Sequence, residues 1–272
     1  MKNIIVPIDF SPDSFKGLEM AILFSQKTEL KIHLIYVQES NGRGLALRKG
    51  AAVSQKFKKI EEEYSPRLGN KSELVFITRK GKRYKKIVDY ADELPESLII
   101  ATIYSDEKHI FKLIASSNCP VLIFSEGYPM NFTKIVLPIN YITYSRQKVP
   151  IAAEVARIFD AEVHILGISS HNKRIIKRVT AYSLQACKYF FRKGIAYKSF
   201  LFQTRQPENK ILEYAVSVGA DLIIVMTKRK RGLARMFVDK EIRKLVTQSS
   251  IPILCIKQQT TYLLGSFSAT GG

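Results

Sequence analysis

Short apolar runs rich in Ile, Val and Leu alternate along the chain with stretches of helical periodicity. After the first run, Ser11 and Pro12 have the composition of a helix start, and Leu18, Ala21 and Ile22 follow at helical spacing. This alternation is typical of a parallel sheet covered by helices on both faces. In the first half it predicts strands near 3–9, 31–37, 73–78, 97–102 and 120–124, and helices from 11 and over 45–64, 82–93 and 106–117.

The second half of the chain repeats the same series. Segment 4–10 (IIVPIDF) matches 135–141 (IVLPINY) at an offset of 131, and segment 97–100 (SLII) matches 221–224 (DLII) at an offset of 124. At the last strand the offset is 132, so the second copy has eight extra residues between its fourth and fifth strands. The repeat predicts strands near 134–140, 162–168, 196–202, 221–226 and 252–256, and two tandem α/β domains at 1–127 and 132–258 with a tail at 259–272.

Net charge distinguishes the two halves. The 272 residues include 43 Lys and Arg against 24 Asp and Glu, a net charge of +19. Residues 132–272 hold +15 of this charge, and residues 1–131 hold +4. A basic surplus of this size favours an anionic partner: a nucleotide or other anionic small molecule, a nucleic acid or an anionic membrane. The charge does not choose among them.

Other features narrow the class of protein. No apolar run approaches the roughly 20 residues that a spanning helix needs, and the N-terminus has no secretory signal. Three widely spaced cysteines fit reduced thiols, so we expect a cytoplasmic protein without a transmembrane segment. We find no nucleophile elbow, metal-ligand spacing or carboxylate pair, so we expect neither catalysis nor a metal site.

Several segments, taken in order, resemble one protein family. They are 4–11 (IIVPIDFS), His33 and His164 early in each second strand, and 247–254 (TQSSIPIL). With these features duplicated over nearly the whole chain, the sequence resembles a tandem universal stress protein. The resemblance implies Rossmann-like sheets of strand order 3-2-1-4-5, each with a ligand crevice outside the carboxyl ends of strands 1 and 4. It also implies antiparallel pairing of the fifth strands as a pseudo-dimer within one chain, and it leaves a homodimer open.

The family's nucleotide-binding pattern is incomplete in both halves. The resemblance implies an Asp ending strand 1, and a Gly-x-x-Gly, nine residues and Gly-Ser/Thr after strand 4, where glycines let backbone amides approach phosphates. In the second copy Met226, Arg229 and Asp239 replace the glycines, and Asn140 replaces the Asp. The first copy keeps the Asp, but its loop after strand 4 is short and acidic. We therefore expect a degenerate nucleotide-type crevice in the second domain, with no certain cofactor and with ATP or AMP as the nucleotides to consider.

Candidate ligand residues follow from this comparison. Asp9 is the strand-end carboxylate of the first copy, and the other candidates surround the crevice expected in the second copy. His33 and His164 lie inside apolar strands, and we expect both to be structural. The complete ligand set is Asp9, Pro138, Asn140, Ile168, Met226, Thr227, Arg229 and Lys240.

Two basic clusters in the second copy form a candidate anion or polyanion patch. One opens the long helix, where like charges four residues apart cost helix stability, and the other follows strand 4. Each cluster can also be a solvated surface without a ligand. The patch comprises Lys173, Arg174, Lys177, Arg178, Lys228, Arg229, Lys230, Arg231 and Arg235.

The sequence thus predicts a non-enzymatic stress-response protein that acts by binding a ligand or partner. Two alternatives stay open. One is an ATP- or AMP-binding universal stress protein with weak ATPase activity. The other is a protein whose surface binds nucleic acid or an anionic membrane.

Overall fold

A computed structural model describes residues 1–39, 46–103, 107–125, 132–228 and 238–259. Every predicted strand is present, with ends that shift by one or two residues. The first strand ends at Pro7, so Asp9 lies in the loop that follows. The first half contains β1 (Asn3–Pro7), α1 (Pro12–Ser25), β2 (Lys31–Gln38), α2 (Ala46–Tyr64), β3 (Glu73–Lys80), α3 (Arg83–Glu93), β4 (Ser97–Thr102), α4 (Glu107–Ser116) and β5 (Val121–Phe124).

The second half repeats this order of strands and α-helices, but its described residues lack a counterpart of the short 3-10 helix Ser65–Arg67 that follows α2 in the first half. A short 3-10 helix, Thr143–Lys148, precedes its first α-helix, where the first half begins directly with the Ser11-capped α1. The elements are β6 (Lys134–Ile139), α5 (Val149–Phe159), β7 (Glu162–Ser169), α6 (Lys173–Arg192), β8 (Tyr197–Gln203), α7 (Pro207–Ser217), β9 (Leu222–Thr227), α8 (Lys240–Gln248) and β10 (Ile253–Lys257). In the described part of the chain, no helix combines the length and apolar character needed to cross a membrane.

All ten strands form one sheet in the order β3-β2-β1-β4-β5-β10-β9-β6-β7-β8. Each half therefore has the predicted order 3-2-1-4-5, with parallel pairing inside it. The halves meet where β5 and β10 pair antiparallel, with Leu254 opposite Leu122 and Cys255 opposite Val121. This strand pairing confirms the prediction made for the two fifth strands.

Buried side chains form two apolar cores, one on each face of the sheet, and both cores include residues from both halves. Near the junction of the halves, the rings of Phe24, Phe132 and Phe159 pack together, with centroids 4.8 to 5.8 Å apart. The two halves therefore share buried apolar surface on both faces as well as strand hydrogen bonds.

Polar contacts also join the halves. Lys257, at the end of β10, donates from Nζ to the backbone oxygens of Ala115 and Ser116 at 2.9 and 3.2 Å. A cation at the C-terminal end of α4 satisfies free carbonyls and interacts favourably with the helix dipole. The guanidinium of Arg243 lies 4.0 Å from the ring centroid of Phe111, which joins α8 to α4.

The two strand histidines are structural, as expected. His33 Nδ1 is 2.8 Å from the Tyr90 hydroxyl, and its Nε2 is 3.0 Å from Asn3 Oδ1. His164 repeats the first contact with Tyr214 at 2.8 Å. Each histidine therefore ties the second strand of its half to the helix that covers it.

Truncating the Phe132 side chain should destabilise the whole chain. Phe132 is fully buried, so Phe132→Ala is expected to lower the free energy of unfolding by about 3–5 kcal/mol. Chemical denaturation measures this loss. Phe191→Ala is the control, because Phe191 is 76% exposed and should cost less than about 0.5 kcal/mol. Equal losses in the two variants would contradict the role of Phe132.

Candidate functional site

The structure describes a crevice in each half, at the carboxyl ends of the first and fourth strands of that half. At this position the connections that follow two adjacent parallel strands run to opposite faces of the sheet, and open α/β sheets bind their ligands in the crevice between them. In the first half the strands are β1 and β4, and in the second half they are β6 and β9. The two crevices occupy equivalent places but differ in size and lining.

The first crevice is largely filled. Its cavity measures about 50 Å³ and is lined by residues that include Asp9, Ser11 and Arg83. Asp9 accepts hydrogen bonds from the Ser11 amide at 3.0 Å and the Ser11 hydroxyl at 2.5 Å, and pairs with the Arg83 guanidinium at 2.9 Å. The carboxylate that was predicted to contact a ligand is therefore already bound by the protein.

These contacts set the charge of Asp9. Partial burial opposes its ionisation, but the hydrogen bonds from Ser11 and the charge of Arg83 outweigh this effect and lower its pKa to about 2. Asp9 is consequently an anion that is neutralised within the first half.

The second crevice is open. It forms a cavity of about 320 Å³, large enough for a small organic molecule or several waters. Its walls come from strands β6, β7 and β9 and from helices α7 and α8. The lining comprises Pro138, Asn140, Tyr141, Ile142, Lys148, Ile168, Pro207, Glu208, Ile211, Val225, Met226, Lys228, Asp239, Glu241, Ile242 and Leu245.

The first residue of the helix that follows the third strand of each half accounts for part of this difference in cavity volume. Arg83 is the first residue of α3, and Pro207 is the first residue of α7, the corresponding helix of the second half. The long Arg83 side chain reaches the strand-end carboxylate, whereas the short Pro207 ring cannot. The strand-end residue of the second half is Asn140, whose Oδ1 accepts the Ile142 amide at 3.0 Å.

The predicted ligand residues are distributed between the two crevices. Pro138, Asn140, Ile168 and Met226 line the second crevice, and Asp9 lines the first. Arg229 lies outside the described residues.

The structure places Thr227 and Lys240 elsewhere. Thr227 is buried, and its hydroxyl donates to the Ile256 carbonyl at 3.3 Å, so it points into the sheet and does not line the cavity. Lys240 is exposed at the first position of α8, where its neighbours Asp239 and Glu241 line the cavity instead.

Sequence analysis missed three of the charged residues that line the second crevice: Lys148, Glu208 and Glu241. Glu208 comes from α7, far from the loops that were compared, and the Lys148 side chain is 4% exposed inside the cavity wall. A signal for Lys148 was available, since at offset 131 it aligns with Gly17, which lines the first crevice. A lysine aligned with a buried glycine marks a position where the copies differ.

The helical part of the predicted basic patch is exposed. Lys173, Arg174, Lys177 and Arg178 all lie at the surface of the first turns of α6. Lys228 is exposed at the end of β9 and lines the second crevice. Arg229, Lys230, Arg231 and Arg235 lie outside the described residues.

Within the described segments of the chain, no group of three His, Cys, Asp or Glu side chains is arranged to hold a metal ion. Cys255 is buried, and its burial raises the pKa of its thiol to about 12. That thiol is inert at neutral pH.

The family model described as the universal stress protein family matches residues 1–102 and 194–257, which is more than half of the chain. The chain belongs to the universal stress protein family. The universal stress protein MJ0531 of Methanocaldococcus jannaschii is 24% identical over 142 residues, covering 47% of this chain and 83% of that protein. This match covers about one copy of the repeat.

Two solved structures share the whole two-part architecture. A universal stress protein from Archaeoglobus fulgidus DSM 4304 superposes with a TM-score of 0.72 at 18% identity, covering 95% of this chain and 97% of that one. A functionally unknown protein, PA1789 from Pseudomonas aeruginosa PAO1, superposes with a TM-score of 0.68 at 16% identity, covering 94% and 92%. At these identities the likeness establishes the fold.

Removing the arginine of the first crevice should change the titration of its carboxylate. In Arg83→Met, the pKa of Asp9 is expected to rise from about 2 towards the ordinary 3.8, because a stabilising cation is lost. Carboxyl carbon chemical shifts measured by NMR against pH give this value. An unchanged midpoint would contradict the assignment.

The same shift predicts a pH dependence of stability. A folded-state pKa below the unfolded value means that ionised Asp9 stabilises the fold above about pH 3.8, and that this contribution is lost as the pH falls towards 2. Chemical denaturation should show that, over this pH interval, Arg83→Met loses less of its free energy of unfolding than the unmodified chain does.

Proposed function

We propose that this universal stress protein acts in stress response by binding a small ligand in its second crevice, without chemical turnover. In this proposal the chain comprises domains at 1–127 and 132–258 with a tail at 259–272, in a cytoplasmic protein. The first domain serves as a structural partner. The supporting observation is the difference between an open cavity of about 320 Å³ and a filled one of about 50 Å³.

The charges of the second crevice bear on the ligand class. Lys148 and Lys228 line it, but so do Glu208, Asp239 and Glu241. Close to these carboxylates a phosphate would be repelled unless cations intervene. Binding of AMP or ATP would therefore depend on the basic residues at 229–235, which follow Lys228 in the sequence, with Asn140 and the apolar walls holding the rest of the nucleotide.

Calorimetry at moderate salt tests the proposal with AMP and ATP. We expect one ligand per chain and no release of phosphate from ATP. The double variant Pro207→Arg, Asn140→Asp rebuilds in the second half the pair that fills the first crevice, and should lower affinity at least about tenfold. Arg83→Ala is the control and should leave the affinity of the second site unchanged.

The outcomes separate the alternatives. No binding heat with either nucleotide would rule out the nucleotide version of the proposal. Two ligands per chain would contradict the difference between the crevices. Phosphate release that the double variant abolishes would favour the weak ATPase.

A second candidate function is binding to an anionic membrane surface through α6. This helix contains six Lys or Arg residues and no Asp or Glu. Four of them lie in the first turns of the helix. Positive charge there interacts unfavourably with the helix dipole and lowers the stability of the helix. An anionic surface would compensate this cost.

Exposed apolar residues favour a membrane over nucleic acid as that surface. Leu184 and Phe191 are 56% and 76% exposed, and at about 100° per residue they lie within roughly 60° of arc with Lys173, Lys177 and Lys188. A helix face that combines basic and large apolar side chains is typical of helices lying in the membrane interface.

Vesicle flotation tests this second candidate. Vesicles of phosphatidylserine and phosphatidylcholine should bind the protein, and pure phosphatidylcholine vesicles should not. Leu184→Ser with Phe191→Ser should weaken binding about tenfold, because both side chains lose their insertion into the bilayer. Val216→Ser on α7, at an equally exposed apolar residue, is the control. Retained binding by the double variant, or stronger binding to duplex DNA, would contradict the proposal.

A further inference from the structure

A lysine is buried in the second crevice at the position where the first half has a glycine. Lys148 ends the 3-10 helix before α5, and it is 4% exposed. Its counterpart Gly17 lines the first crevice, where an added Cβ would lie 3.1 Å from a methyl of Val6. One copy leaves little room for a side chain at this point, and the other buries a long amine there.

Lys148 has no anionic partner within the described parts of the chain. Its Nζ lies 3.5 Å from Ser145 Oγ, a long hydrogen bond, and that hydroxyl oxygen already accepts the Asn140 amide at 3.2 Å. A buried ammonium without a counter-charge is costly, so the neutral amine is favoured. Burial alone lowers the pKa of Lys148 to about 7. Near neutral pH, a large share of this lysine carries the nucleophilic lone pair.

The cavity around Lys148 suits an uncharged molecule. Its inner walls are apolar, and they include Ile168, Ile211, Val225 and Ile242, all of which are buried. The charged residues that share the cavity are Glu208, Lys228, Asp239 and Glu241. Three carboxylates against one further lysine disfavour entry of a small anion but not of a neutral compound.

We infer that Lys148 binds a small uncharged aldehyde covalently and reversibly, as an imine. The Nζ lone pair attacks the carbonyl carbon, and a proton moves from nitrogen to the carbonyl oxygen to give a carbinolamine. The carbinolamine then loses its hydroxyl group together with the remaining proton on nitrogen, as water, and the carbon–nitrogen double bond forms. One aldehyde is consumed and one water is released, so the step needs neither oxidant nor reductant. The apolar walls limit the water that would reverse it.

This inference goes beyond the proposed function, because it assigns an amine and a carbonyl ligand that nucleotide binding does not require. Its test contains no nucleotide. A failure of AMP and ATP to bind would therefore leave it unaffected, and a failure of imine formation would leave the calorimetric result unaffected.

Reductive trapping tests the inference. The full chain is incubated with butanal and sodium cyanoborohydride at pH 7, then digested, and the butylated fraction of each lysine is measured by mass spectrometry over time. Lys148 should be labelled at least about tenfold faster than the exposed Lys85 of α3, because an ordinary exposed lysine is almost entirely protonated at this pH. Labelling of Lys148 at or below the rate of Lys85 would overturn the inference.

Two further arms separate reactivity from structure. Lys148→Met replaces the amine by an apolar chain of similar length and should abolish the fast labelling, whereas Lys85→Met should keep it. If Lys148→Met does not fold, the ratio between the two lysines of the unmodified chain decides alone. Glyoxylate, an anionic aldehyde, should label Lys148 several-fold more slowly than butanal. Equal or faster labelling by glyoxylate would contradict the inference that the ligand is uncharged.

Discussion

The antiparallel pairing of β5 with β10 is the contact on which the architecture depends. Each half on its own would leave a short and almost wholly apolar strand at the edge of its sheet, and such edges promote aggregation. Pairing them satisfies both rows of backbone groups and makes two five-stranded sheets into one. The shared cores on both faces and the Lys257 contact with α4 then add side-chain contacts to the same junction.

The two crevices occupy equivalent places in this continuous sheet. Both lie at the carboxyl ends of strands. Part of the difference between them comes from single side chains: an arginine or a proline at the start of a covering helix, and a glycine or a lysine beside the first strand. The glycine lies in an α-helix, whereas the lysine ends a 3-10 helix. A rigid scaffold with exchangeable lining residues is a common basis for different binding properties in one fold.

The fold and the place of the crevice could be predicted from the sequence, but the contents of the crevice could not. Strand positions followed from short apolar runs such as 4–8 and from the repeat, because buried parallel strands must be continuously apolar. Asn140 and Met226 line the second crevice because they lie at the carboxyl ends of the inner strands β6 and β9. Arg83 was missed because its contact with Asp9 spans 74 residues. The burial of Lys148 depends on a 3-10 turn that has no clear sequence pattern.

Joining both copies in one chain has a further consequence for how they can change. In a dimer of identical subunits every substitution occurs twice, so a buried, unpaired lysine would carry its desolvation cost at two positions. In a single chain the linked copies stay together at any dilution, since their pairing is intramolecular. The second copy can therefore carry Lys148 while the first keeps Gly17, and the cost is incurred once. Because the two copies are joined in one chain, they need not be identical, and their two crevices can have different binding properties.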